Sequence, residues 1–160
     1  MVHDQYLIHF LMENYPWGSW RTNVRLGRVS EELARTAKDE RQLRAMNIFL
    51  ARCDALVLLP DKVVIIETIS RAHEWFKIGQ LEMYERLFKV TEEFREHWDK
   101  PVEKILVTPL KNPLLEAEAF ARGIRVVTYT HPAMSQYWGS LRARDREPRL
   151  SGVEVKKEQK

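Results

Sequence analysis

The 160-residue chain predicts an α/β fold, a mixed sheet flanked by helices, on three observations. Two apolar runs, 55–59 (ALVLL) and 63–66 (VVII), flank Pro60-Asp61 and read as an antiparallel hairpin. Residues 104–109 (KILVTP), 113–122 (PLLEAEAFAR) and 124–130 (IRVVTYT) read as strand, helix and strand with short links. That unit favours parallel pairing through a right-handed crossover. Helical patterns before the first strand and between the hairpin and residue 104 supply the layers that cover the sheet.

In chain order, residues 4–14 form the first helix, with Tyr6, Leu7, Phe10 and Leu11 on one face and Pro16 and Gly18 beyond its end. Residues 19–27 form the first strand, ended by Gly27. Residues 28–50 are a charged helical insertion, capped by Ser30 and making its first core contact at Leu33. Such a charge run is either a solvated face or a partner-binding surface. The hairpin spans about 51 to 69, and a helix runs from about Lys77 to Glu96. In the strand–helix–strand unit, Pro113 sits in the helix's first turn and Gly123 stops it. The core is therefore expected over 1–132. Residues 133–160 form an appendage: a short helix with Tyr137 and Trp138, then a basic tail.

Composition narrows the function classes. The net charge is +3, yet residues 141–160 hold seven basic groups against four acidic ones, which leaves 19 of each in residues 1–140. The body is thus no strongly basic nucleic-acid binder, and DNA contacts must come from local clusters or the tail. The single cysteine, Cys53, excludes an internal disulfide and reads as a small buried hydrophobe. No apolar run is long enough to span a membrane. No basic segment followed by a cleavable apolar core occurs, so a secretory signal is not expected. The five histidines show no paired ligand spacing, and there is no Gly-rich phosphate loop.

The hairpin carries the chemistry. With Pro60-Asp61 at the turn, residues whose numbers sum to 121 lie opposite each other, so Asp54 faces Glu67 and Arg52 faces Ile69. Opposed side chains have Cβ atoms roughly 4.5–5.5 Å apart, and like charges so placed are destabilising. The two carboxylates need a cation between them, either a metal or a basic side chain.

An Asp on one strand, Glu67-Thr68-Ile69 on the next, and Gln80-Leu81-Glu82-Met83-Tyr84 on the following helix resemble the PD-(D/E)XK nuclease superfamily in its RecB-like form. The resemblance covers residues 4–130 and implies a restriction endonuclease-like αβββαβ core. It implies that Asp54 and Glu67 hold Mg²⁺ or Mn²⁺, and that Gln80 and Tyr84 look toward them. The superfamily's second strand reads Glu-x-Lys, and the lysine position here is Ile69. Three substitutes lie nearby: Lys77, Arg71 and Arg52. Arg52 is expected to fork onto the acids and close the metal site with an ion pair, since arginine is too basic to act as a base.

The expectation is a nuclease-fold protein that no longer cuts and serves in assembly. Its pattern is similar to nuclease-fold proteins of tailed phages, some of which complete heads or form the neck. That likeness implies a homo-oligomer or virion partners, possible DNA contact, no membrane, and a place in the host cytoplasm or the virion. The alternative is an active metal-dependent DNA nuclease whose lysine has moved to Lys77.

Overall fold

The computed structural model describes residues 2–47, 50–70 and 74–132. The chain divides into two units, Met1–Tyr129 and Thr130–Lys160. The first holds a five-stranded mixed sheet flanked by helices, with strands in sequential order. The strands are β1 (Trp20–Leu26), β2 (Ala51–Leu58), β3 (Val63–Thr68), β4 (Val102–Thr108) and β5 (Ile124–Thr128). The helices are α1 (Val2–Asn14), α2 (Glu31–Ala34), α3 (Glu40–Met46), α4 (Phe76–Phe88) and α5 (Pro113–Ala121). No helix among the described residues is long and apolar enough to cross a membrane. The expected C-terminal helix with Tyr137 and Trp138, the basic tail, and Arg71 all lie outside the described residues.

β1–β2 and β2–β3 pair antiparallel, while β3–β4 and β4–β5 pair parallel. The hairpin register is the one expected: Ala55 opposes Ile66 and Leu58 opposes Val63. The Leu59 amide closes the turn on the Lys62 carbonyl at 2.9 Å. β3 is buried at all six positions. A strand covered on both faces has no solvent side to alternate with, which is why its first four residues, Val63 to Ile66, are an unbroken apolar run.

One face of the sheet joins the larger core. Ile65 and Leu106 pack there with Leu81 and Phe88 of α4 and Leu115 and Ala119 of α5. The alternate strand residues Val64, Ile66, Ile105 and Val107 are equally buried and turn to the other face. There α1 buries Tyr6, Leu7, Phe10 and Leu11. The Tyr6 hydroxyl ties α1 to the end of β5 by donating to the Tyr129 carbonyl at 2.7 Å. Each of these fully buried apolar side chains contributes roughly 1.5–3 kcal/mol.

Two expectations need correction. The helix after the hairpin does not run to Glu96: α4 stops at Phe88, and a 3-10 segment follows at Glu92–His97. Thr91 causes the break. Its hydroxyl donates to the Leu87 carbonyl and accepts the Gly27 amide, each at 2.8 Å, tying the helix end to the end of β1. The chain then turns so that Phe94 stacks on Phe88 at 5.6 Å. The insertion is the second case. Ser30 caps α2 as expected, accepting from the Leu33 amide, but Leu33 itself is 42% exposed. Neither α2 nor α3 has a buried residue. Their charges pair locally, Glu31 with Arg35 and Glu40 with Arg44.

Candidate active site

The β2–β3 ladder ends at Ala55 and Ile66. One rung further, the acidic side chains take over the pairing. The Asp54 amide donates to Glu67 Oε1 at 2.9 Å, and the Thr68 amide donates to Asp54 Oδ2 at 2.8 Å. The Thr68 hydroxyl donates to the same Asp54 oxygen at 2.8 Å. The site therefore lies at the carboxyl end of β3, outside the end of the parallel strands, where open α/β sheets place their ligands.

The first turn of α4 brings a cation into this corner. Lys77 Nζ lies 2.9 Å from Glu67 Oε2 and 3.4 Å from Asp54 Oδ2. Glu67 is 2% exposed, so its carboxylate lies almost wholly out of water. Burial, then the neighbouring Asp54 charge, raises the Glu67 pKa to about 7 against the pull of Lys77. Burial also works against the Lys77 ammonium, but the Glu67 and Asp54 charges outweigh it and its pKa moves up. Lys77 is thus a charged hydrogen-bond donor at neutral pH.

Both strands change their alternation beside the half-buried Asp54. Cys53 and Leu56 both join the core on the α4 side, so β2 reverses its alternation between them. β1 reverses at the same rung. Arg21 stacks over Phe94 on the α4 side and Val24 also lies there, and between them Asn23 has φ +54°. Asn23 is the only non-glycine with positive φ among the described residues. Such a residue costs about 1–2 kcal/mol, least for asparagine, whose short polar side chain tolerates the left-handed region. The asparagine inside an otherwise ordinary strand was the available sequence signal, and sequence reasoning missed it.

Of the residues singled out from sequence, the structure brings together Asp54, Glu67 and Lys77. Tyr84 is buried two turns along α4. Burial, then the charges of Glu67, Cys53 and Asp54, holds its hydroxyl well above the usual range. Gln80 lies between Lys77 and Tyr84 on the same side of α4, half-buried, and bonds to neither carboxylate among the described contacts. Ile69 is 4% exposed and belongs to the core. Cys53 is 1% exposed, and burial with the two nearby acids pushes its thiol up, so it is an inert core residue.

Arg52 does not close the site. It is exposed and donates to Asn23 Oδ1 at 3.4 Å, so the ion pair expected of Arg52 is made by Lys77 instead. Alternation explains this. Ala51 and Cys53 point to the α4 side, which sends Arg52 to the other. Two further residues escaped the sequence reading. Thr68 fixes Asp54 with two donors. Glu74 accepts from the Ser70 amide at 2.9 Å and adds its charge near Lys77. Thr68 is the single polar neighbour of Glu67 in an apolar strand, which was its only mark.

The donors suit a hard cation. Two carboxylate oxygens on different strands converge on one ammonium, and Mg²⁺ and Mn²⁺ prefer such oxygens. Among the described residues no group of three or more His, Cys, Asp or Glu side chains converges. No family model, curated protein or solved structure matches the chain.

Proposed function

We propose that the protein is a metal-dependent deoxyribonuclease with a restriction endonuclease-like αβββαβ core, whose lysine has moved from the strand to α4. The observation that carries this reading is the position of Lys77 Nζ, within hydrogen-bonding reach of both Asp54 and Glu67. The ammonium missing from residue 69 is supplied from another element at the same acids. Asp54 and Glu67 would hold Mg²⁺ or Mn²⁺. When bound, the ion supplies positive charge against the charge that develops on the phosphate.

The chain's own residues do the rest. Thr68 and the Asp54 amide hold the two carboxylates facing each other, so little reorganisation precedes binding. Lys77, charged at neutral pH, donates hydrogen bonds that orient the attacking water and offset charge on the phosphate oxygens. Tyr84 and the apolar wall around Ile69 exclude bulk water from the inner side, which strengthens each of these interactions. Gln80, one turn from Lys77, lies at the rim where a nucleotide would pass.

A second reading has its own support. The carboxylates are already satisfied by amide, hydroxyl and ammonium donors, so the corner is stable with no ion. In that reading the cluster is structural and the protein serves in a phage head-completion or neck assembly, as a homo-oligomer or with other virion proteins.

One experiment separates them. The purified chain is incubated with supercoiled and linear DNA, in Mn²⁺ and in chelator. The nuclease reading expects cleavage in Mn²⁺ alone, abolished by Asp54→Asn and reduced roughly 100- to 10,000-fold by Lys77→Ala. No cleavage, with a ring-sized species in light scattering, supports assembly.

A further inference from the structure

A cavity of about 510 Å³ opens on the far side of Asp54 from Lys77's sheet face, between α1 and the β1–β2 pair. Leu7 and Ile8 of α1 form one wall, and Thr22, Asn23 and Arg52 form the other. Asp54 belongs both to this cavity and to the acidic site, so the two adjoin.

Arg52, which lines the cavity, has a second arginine beside it. Arg25 of β1 lies directly opposite Arg52 of β2. Arg25 is flanked by Val24 and Leu26, and Arg52 by Ala51 and Cys53, all four packed on the α4 side. Alternation therefore directs both guanidinium groups to the α1 side. Both residues are exposed. Among the described residues neither forms an ion pair, and Arg52's partner is the neutral side chain of Asn23. Like charges opposed across two strands repel, with Cβ atoms roughly 4.5–5.5 Å apart. On the α4 side, by contrast, Arg21 is paired with Glu93, and Arg122 with Glu82 and Glu118. An anion bridging Arg25 and Arg52 turns their repulsion into attraction, and planar guanidinium forks match phosphate oxygens.

We infer that Arg25 and Arg52 form a binding subsite for a DNA backbone phosphate next to the one at Asp54 and Glu67. Arg52 is two residues from Asp54 along β2, a separation of about 7 Å at the rise of a strand, comparable to one nucleotide step. Asn23 is a positioning residue. Its left-handed backbone and its bond to Arg52 hold that guanidinium over the cavity. The identity of the anion rests on the nuclease reading, while the geometry of the subsite does not.

The test reads binding apart from cleavage. Full-length Asp54→Asn protein is titrated into labelled duplex DNA in chelator, over a series of salt concentrations, by fluorescence anisotropy. Replacing both Arg25 and Arg52 by Gln is expected to weaken binding tenfold or more at low salt. It should also lower the slope of log affinity against log salt by about 1, the loss of one phosphate contact. Arg52→Lys should keep the slope but bind more weakly. Arg44→Gln, on the locally paired insertion, should change neither. An unchanged affinity and slope in the double variant, or no salt-dependent binding by the parent, overturns the inference. Arginine-dependent binding by a wild-type chain that never cuts keeps the subsite and defeats the nuclease reading. Cleavage with unchanged affinity in the double variant does the reverse.

Discussion

Two charged clusters sit at opposite ends of the parallel strands, and they are built in opposite senses. At the carboxyl end of β3, Asp54 and Glu67 share the single ammonium of Lys77 among the described residues, and Glu67 is buried. At the amino end of β4, one carboxylate, Glu103, takes two cations, Lys62 at 2.7 Å and Arg125 at 2.7 Å, at the partly exposed edge. Burial raises the Glu103 pKa, but its hydrogen bonds and the two cations overcome this and the net direction is down. Glu67 moves the other way. An excess of acid kept out of water favours protonation or a cation, and it is Glu67 whose pKa rises. At the second cluster the charges are already paired, and water and salt screen them at the wet edge. The first cluster holds two acids around one cation out of water, and the second fastens strands at the wet edge.

The largest effect is expected on removing the shared ammonium. Lys77→Met removes the ammonium that the two facing carboxylates share and should cost about 3–5 kcal/mol at pH 8. The loss should shrink at pH 5, where an acid is protonated, and part of it should return with millimolar Mg²⁺ or Mn²⁺. Denaturant unfolding in each condition checks all three outcomes.

The next effect is the pH dependence of the wild type. The folded Glu67 pKa, about 7, lies above its ordinary value of 4.5, so the folded state binds this proton more tightly than the unfolded chain. Its contribution to stability is therefore full below about pH 4.5, lost as pH rises toward 7, and constant above. The change is on the order of 3 kcal/mol. Glu67→Gln should flatten this part of the stability–pH profile, and an equally steep profile in the variant contradicts the assignment.

The smallest effect belongs to the other cluster. Glu103→Gln should lose about 0–1 kcal/mol, less in high salt. The lowered Glu103 pKa makes its contribution present above the unfolded value and lost as pH falls below it, the opposite sign to Glu67. A Glu103→Gln loss as large as that of Lys77→Met would erase the distinction between the clusters.

Much of this was legible in the residues. The Pro60-Asp61 turn set the hairpin register, and the register set Asp54 against Glu67. The strand–helix–strand unit gave the parallel half of the sheet. The cation was less accessible. The side on which Arg52 lies follows from the reversal of both strands at Asn23 and Asp54, and that reversal depends on a backbone torsion no pattern of apolar residues records. Lys77 reaches the acids because α4 packs on β3 and β4, a tertiary fact. The end of α4 was hidden for a similar reason. The helical pattern continues past Thr91, while its hydroxyl is committed to β1, 64 residues away in sequence.

The most direct test of the Asp54–Glu67–Lys77 cluster as a divalent-cation site is calorimetric titration of the full chain with Mg²⁺ and Mn²⁺. The expected result is one ion bound per chain in the wild type and none in Glu67→Ala. Absence of binding in the wild type, or identical heats in both proteins, contradicts it.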